Sequence, residues 1–564
     1  MSPAAISAFY KPIASPKRIL PWVVTTALIG LVGVPLLFIA LQAIFPRLGE
    51  GLLVAPFSMW LPTLADPRVL QLSLNTLVLG VSVALVAGAL GGMLGVIRGL
   101  SEIPYARAWD IVMLMPLMIP PYIATLGWIV VLQPRGYLQQ VAGFHLGPFL
   151  FSFPGLVFVM ASHLFPAVYF AVSRSIEASG GQLAEAARMS GASAFDVFRR
   201  ITLPLALPAI GGALLLVFAS TIEEYGTPAI LASQSNFEVL TTAIDHRVAD
   251  WPIDLPGASC LSIILVLLAL MAYSAQQRMI EGRSFETIGG KTQAYRAALR
   301  GWRLGLALAV LASAALVTIG LPLLGILSTA FTRTFSGGLS ITNLSTRNFE
   351  QLFSNVGGAM HATAFSLALA TGTAIVTAII GVSAALVSRR EGSGVSFIRT
   401  LTALPNAVPG VVVAVGLILA WNQPWLPATV YGTWVMLLLA YSCILLPYPV
   451  RYAFAALTQI SPDLEAAAMM AGANRIVAFR RIVLPLLWPS VFAAMMLVFS
   501  IASRELVASI LLAPVGTHTM ATFVWKQFEQ GSLGLGMAMS VIALVVNMLV
   551  MAAISAALLG RGRT

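Results

Sequence analysis

Polar positions interrupt this chain only at wide intervals. Between them lie apolar runs at roughly 22–46, 73–97, 108–133, 151–173, 205–232, 257–277, 304–331, 362–387, 400–421, 431–453, 486–513 and 533–559. A helix crosses a bilayer core with about 20 residues at 1.5 Å each, and every run reaches that length. The runs are uniformly apolar and too long for barrel strands. Hydrocarbon also tolerates no unpaired backbone group, so helix is the conformation predicted for each. The expected fold is an all-α membrane protein of about 12 transmembrane helices.

Composition supports a lipid solvent. The chain has 564 residues, 59% hydrophobic and 9% charged, against about 25% charged in soluble domains. A net charge of +11 could suit nucleic acid, but the bases gather in short loops. With the N-terminus inside, 24 of the 32 Lys and Arg lie in inner segments and 7 in outer loops, and Arg504 lies within a run. This is the positive-inside pattern, which accounts for the charge, and no nucleic-acid partner is expected. Cys260 and Cys443 form no CxxC pair, and the five histidines lack metal spacing, so neither a disulfide nor a metal site is expected. The first 18 residues are polar and basic and lead into a run too long for a signal-peptide core.

One long polar stretch, Gln276 to Arg303, divides the runs six and six. Glu185 to Pro208 (EAARMSGASAFDVFRRITLPLALP) and Ala466 to Pro489 (AAAMMAGANRIVAFRRIVLPLLWP) match at 13 of 24 positions with a constant offset of 281. Upstream, MPLMIPP at 115–121 aligns with LPNAVPG at 404–410. The two halves are a parallel duplication. The expected division is a 1–21 N-terminal segment, a first module at 22–277, a linker at 278–303 and a second module at 304–564.

Each repeated loop combines an Ala-rich helix, a glycine able to end it, Phe-Arg-Arg, and a proline suited to the first turn of the next span. The order Glu185-Ala186-Ala187, Gly191, Ile201, Leu203, Pro204 matches the EAA motif (EAA-xxx-G-x9-I-x-LP) and resembles the permease subunits of bacterial ABC importers. Gly472, Ile482, Leu484 and Pro485 match in the second copy, where the position aligned with Glu185 is Ala466 and the acid, Glu465, lies one residue earlier. The resemblance implies a type I, MetI-like permease with two six-helix modules. It implies an inner-membrane location with both termini cytoplasmic, a cytoplasmic dimer of ATP-binding subunits, and a periplasmic solute-binding protein. It assigns coupling to the ATPase to Glu185, Ala186, Ala187, Gly191, Arg199, Arg200, Glu465, Ala467, Gly472, Arg480 and Arg481. The chain itself has no Walker A loop. Before Gly290-Lys291 the required glycine position is Phe285, so ATP and Mg are expected on the partner, no cofactor on this chain, and no enzyme activity.

Charges inside spans mark functional positions or buried ion pairs. Glu223 and Glu224 fall in run five, Arg504 and Glu505 in run eleven, and the offset of 281 superposes Glu224 on Glu505. These four are the candidates for lining a translocation path. Pro116/Pro120 and Pro405/Pro409 are expected to break runs three and nine. Gly88/Gly92 and Gly91/Gly95 read as GxxxG packing. YGTWVMLLLAY, LPYPVR, RELVASILL and GTHTMATFVW resemble ferric-iron importers. Importers of aminoethylphosphonate, thiamine or polyamines, or a secondary transporter, stay open.

Overall fold

The computed structural model describes residues 19–178, 181–232, 235, 237–281, 296–389, 393–423, 426 and 429–559. The termini and most of the linker, including the Gly290-Lys291 pair, lie outside these residues. Among the described residues nine helices are long and apolar enough to cross a membrane, and three bent helix pairs bring the number to twelve. Each corresponds to one predicted run. Span one is Leu20–Ile44, span seven Trp302–Ala330 and span twelve Leu533–Val550.

Proline explains the breaks. Span three consists of Ala106–Met118 and Pro121–Ala142, bent by 94°, and span nine of Gly394–Ala407 and Gly410–Trp421, bent by 117°. Pro120 and Pro409 sit at the corners in extended backbone, where a missing N–H and a fixed φ suit the start of a new helix. Span ten bends by 45° before Pro447, a break that hydropathy alone does not reveal.

Four prolines that do not break a helix share a second device. Pro35, Pro204, Pro322 and Pro485 each follow a five-residue π turn, at Ile29–Gly33, Phe198–Thr202, Leu316–Gly320 and Phe479–Val483. A wider turn relieves the clash between the proline ring and the carbonyl one turn back, and the span continues without a sharp kink.

Compactness does not follow the repeat. One unit comprises the chain around span one up to Ser58, Phe353–Lys526 and the part from Ile542; the other comprises Met59–Leu352 and Gln527–Val541. Each unit thus holds the first span of the other repeat. Within the first, span one packs on the second half of span nine; within the second, span seven packs on the second half of span three. The contacts are equivalent. A Cβ on Gly127 would lie 2.6 Å from the Pro322 carbonyl oxygen, and a Cβ on Gly416 would lie 2.7 Å from that of Pro35. Glycine lets helix backbones touch where lipid offers no hydrophobic drive. Of the two GxxxG pairs, Gly91 and Gly95 meet the backbone of span four, whereas Gly92 faces open space.

Gly127→Val or Gly416→Val is expected to destabilise the fold by about 1–3 kcal/mol through overpacking. Gly92→Ala should stabilise it by up to about 1 kcal/mol through helix propensity. Unfolding midpoints in mixed micelles check the opposite signs.

Candidate functional site

The two EAA loops share one geometry. The helices Gly181–Met189 and Pro462–Met470 end at Gly191 and Gly472, with φ of +88° and +86°. In the first loop the N–H groups of Gly191 and Ala192 donate to the carbonyls of Arg188 and Ala187; in the second, those of Gly472 and Ala473 donate to Met469 and Ala468. This is the Schellman closure, and its left-handed residue explains the glycine. The next turn is capped at matched positions too. Ser193 Oγ accepts from the Asp196 N–H at 3.1 Å, and Asn474 Oδ1 accepts from the Val477 N–H at 2.9 Å.

Around each glycine an apolar pair projects outward. Met189 is 84% exposed and Met470 90%, while Phe195 is 69% exposed and Ile476 76%. Both pairs obey the offset of 281. Arg199, Arg200, Arg480 and Arg481 are exposed beside them, and Arg200 lies 3.6 Å from Asp196. The arrangement offers a small apolar knob ringed by bases. The motif drew attention to its Ala, Gly and Arg positions, not to these apolar ones; their matched recurrence in both repeats is the signal that marks them.

The acids of the two loops differ. Glu185 is exposed, as are Ala186 and Ala467, with Ala187 half-buried. Glu465 is buried and ion-paired with Arg389 at 3.1 Å, and Arg389 also donates to the carbonyls of Leu457 and Ile460. The one-residue displacement turns the second acid into its own bundle. The first repeat carries a larger ionic group near the C-terminal end of span two. Buried Arg98 forms a bidentate contact with Asp110 at 2.8–3.0 Å and reaches Glu177 at 3.1 Å. Tyr169 donates to Asp110 at 2.8 Å, and Arg296 from the end of the linker pairs with Glu177.

The path candidates sit where spans five and eleven stop. Helix Leu203–Glu223 breaks before the short helix Gly226–Leu231, and Leu484–Ala502 breaks before Val507–Leu512. At each break the matched acid closes the new helix. Glu224 Oε1 accepts from the Thr227 N–H at 3.2 Å, and Glu505 Oε1 accepts from the Ala508 N–H at 3.0 Å. A carboxylate suits the positive end of a helix. Both acids, with Glu223 and Arg504, are half-buried.

The description "binding-protein-dependent transport system inner membrane component" matches the chain twice, over residues 89–284 and 377–561. A ferric transport system permease protein FbpB from Actinobacillus pleuropneumoniae is 26% identical over 444 residues, covering 77% of this chain; the chain spans 63% of that relative's length. An Fe(3+)-transport system permease protein FbpB 2 from Haemophilus influenzae is 26% identical over 518 residues, covering 91% of this chain and 93% of the relative. A putative 2-aminoethylphosphonate transport system permease protein PhnV from Salmonella paratyphi A is 28% identical over 196 residues, covering 35% of this chain and 73% of the relative.

Glu465→Ala is expected to destabilise the chain by about 2 kcal/mol. That is less than the ~3–5 kcal/mol of a wholly buried pair, since Arg389 keeps two carbonyl partners and a water-facing edge. Glu185→Ala should stay within about 0.5 kcal/mol, as an exposed change does. Comparing the two unfolding midpoints is the check.

Proposed function

We propose, from the premise that the chain belongs to the binding-protein-dependent transport system inner membrane component family, that it is a two-module permease of an ATP-driven ABC importer for ferric iron. The family is one of transport permeases, not enzymes. The coupling reading is carried by one observation: two left-handed glycine turns, 281 residues apart, each flanked by an exposed Met and an exposed Phe or Ile. A pair of equivalent knobs suits a dimer of ATP-binding subunits, one subunit per loop. Each short helix is continuous through a π turn with span five or eleven, so a displacement of the knob passes to the break that Glu224 or Glu505 closes. Glu185 and the four exposed arginines supply charged contacts around the knobs. Glu465 acts by holding its loop against the bundle through Arg389. The chain itself binds no ATP or Mg. Both termini face the cytoplasm, and a periplasmic binding protein delivers the solute to the opposite face.

Iron is favoured because the relative matched over nearly its whole length, in a single chain like this one, is named for Fe(3+) transport. The carboxylates Glu223, Glu224 and Glu505 suit a hard cation. Aminoethylphosphonate is the second reading, motivated by a relative that matches one half of the chain only.

Gly191→Val combined with Gly472→Val should cut ATP-driven uptake at least tenfold while the protein stays in the membrane, because a β-branched side chain is strained at φ near +90° by about 1–3 kcal/mol. Uptake of labelled ferric iron and of aminoethylphosphonate, in cells expressing the chain with its ATP-binding and periplasmic partners, decides the substrate. Normal uptake by the double variant would refute the coupling role. Reporter fusions at Arg135 and Gly289 should fall on opposite sides of the membrane, and the same side for both would sink the orientation.

A further inference from the structure

The turn after Glu224 holds a buried pair that the coupling machinery leaves unused. Tyr225 and Asp245 are 5% and 8% exposed, and the Tyr225 hydroxyl donates to Asp245 Oδ2 at 2.7 Å. The other carboxylate oxygen, Oδ1, is buried with no hydrogen-bond partner. A buried acceptor left unsatisfied is unfavourable and calls for an occupant. Two bases of the same helix pair elsewhere: His246 with Asp250 at 2.9 Å and Arg247 with Asp254 at 3.2 Å. Asp250 and Glu529 add negative potential at the Tyr225 hydroxyl. Burial, and to a lesser degree Asp250, push the Asp245 carboxyl above its ordinary range, against the Tyr225 hydrogen bond and His246.

The second repeat is an internal control. Val239 N–H to Thr242 Oγ1 recurs as Thr519 N–H to Thr522 Oγ1, and Leu240 N–H to Thr76 Oγ1 recurs as Met520 N–H to Ser366 Oγ. At the offset of 281 that pairs the capping acids Leu506 replaces Tyr225, and one residue closer, in the register of these bonds, Trp525 replaces Asp245. The same turn is therefore built with an apolar residue and an indole, and the phenol–carboxylate pair is not needed for the fold. Thr241 of the Asp245 helix donates to the Glu224 carbonyl at 3.1 Å, tying the pair to the break in span five.

We propose that Tyr225 and Asp245 form a receiving site for a hard trivalent cation, ferric iron, at the end of span five away from the coupling loop; this rests on the iron reading above. Phenolate and carboxylate oxygens are the ligands such an ion prefers. On binding, the Tyr225 O–H bond breaks, an O–Fe bond forms and the proton leaves to water. No electron moves, and the iron stays ferric. Asp245 Oδ1 gains the partner it lacks, and the remaining positions keep water or the ligands the ion brings. Among the described residues no three His, Cys, Asp or Glu are grouped to hold a metal.

The test titrates the purified full-length chain in lipid nanodiscs with ferric nitrilotriacetate. The expected result is a visible phenolate-to-iron charge-transfer band that saturates at one iron per chain. Tyr225→Phe should abolish the band, Asp245→Asn should weaken iron binding at least tenfold, and Tyr137→Phe, whose phenol bonds Thr329 elsewhere, should leave the band intact. Thermal unfolding of each variant identifies any that fail to fold; for those, Leu506→Tyr with Trp525→Asp, which should create a second band, is the replacement test. No band in the wild-type chain, or a band that survives Tyr225→Phe, overturns the site. Uptake of labelled iron judges the importer reading separately. Uptake without a band sinks the site alone, whereas a Tyr225-dependent band without uptake keeps the site and sinks the import reading.

Discussion

Every backbone N–H and C=O that enters hydrocarbon must find a partner inside the protein, and this chain repeatedly interrupts its own helices. Spans three, nine and ten break at prolines, and spans five and eleven stop and restart. Each interruption frees donors at the start of the next helix. At 224 and 505 a glutamate side chain accepts one of them; at the corners of spans three and nine a proline at the start removes a donor instead. The acids of the fifth and eleventh spans are therefore structural caps and path candidates at once. A cap holds its carboxylate at a fixed place at the break of the span.

The same constraint shapes the packing. A π turn before Pro35 and Pro322 lets spans one and seven continue past a proline. The carbonyls of those prolines then lie against Gly127 and Gly416, where the absence of a side chain lets the backbones touch. Because each glycine belongs to the repeat opposite to its proline, the duplication is not two independent bundles. Neither module contains all the packing of its own first span. A fused chain keeps the two halves at equal number and makes this exchange intramolecular, so the link between residues 276 and 303 does more than join two proteins end to end.

Much of this was legible beforehand, for physical reasons that can be named. Twelve apolar runs were readable because lipid imposes a minimum length on every span, and the breaks at Pro120 and Pro409 because proline removes a donor wherever it sits. Gly191 and Gly472 were readable as turns because two copies align on them. Pairings were not. Hydropathy records which residues avoid water but not which helix meets which, so the exchange of spans one and seven left no trace in the pattern. Glu465 and Glu185 occupy nearly the same place in the motif, yet one residue of displacement on a helix rotates a side chain by about 100°. That rotation is enough to turn Glu465 from the exposed side toward Arg389.

The two repeats are alike in the build of their loops and breaks and unlike in several polar side chains. The left-handed glycines, the Schellman bonds, the exposed Met with its Phe or Ile, and the capping glutamates all recur at one offset. The exceptions are polar. Glu223 faces Arg504 in the alignment, Tyr225 faces Leu506, and Asp245 faces Trp525. A pair of identical engines would pull equally on both halves and needs equivalent handles. A single small ion has no use for two-fold symmetry, since it can be held by only one set of ligands at a time. Divergence at and just after the breaks of spans five and eleven is the pattern expected if the halves share their drive and divide their chemistry, with the first half supplying the oxygen ligands.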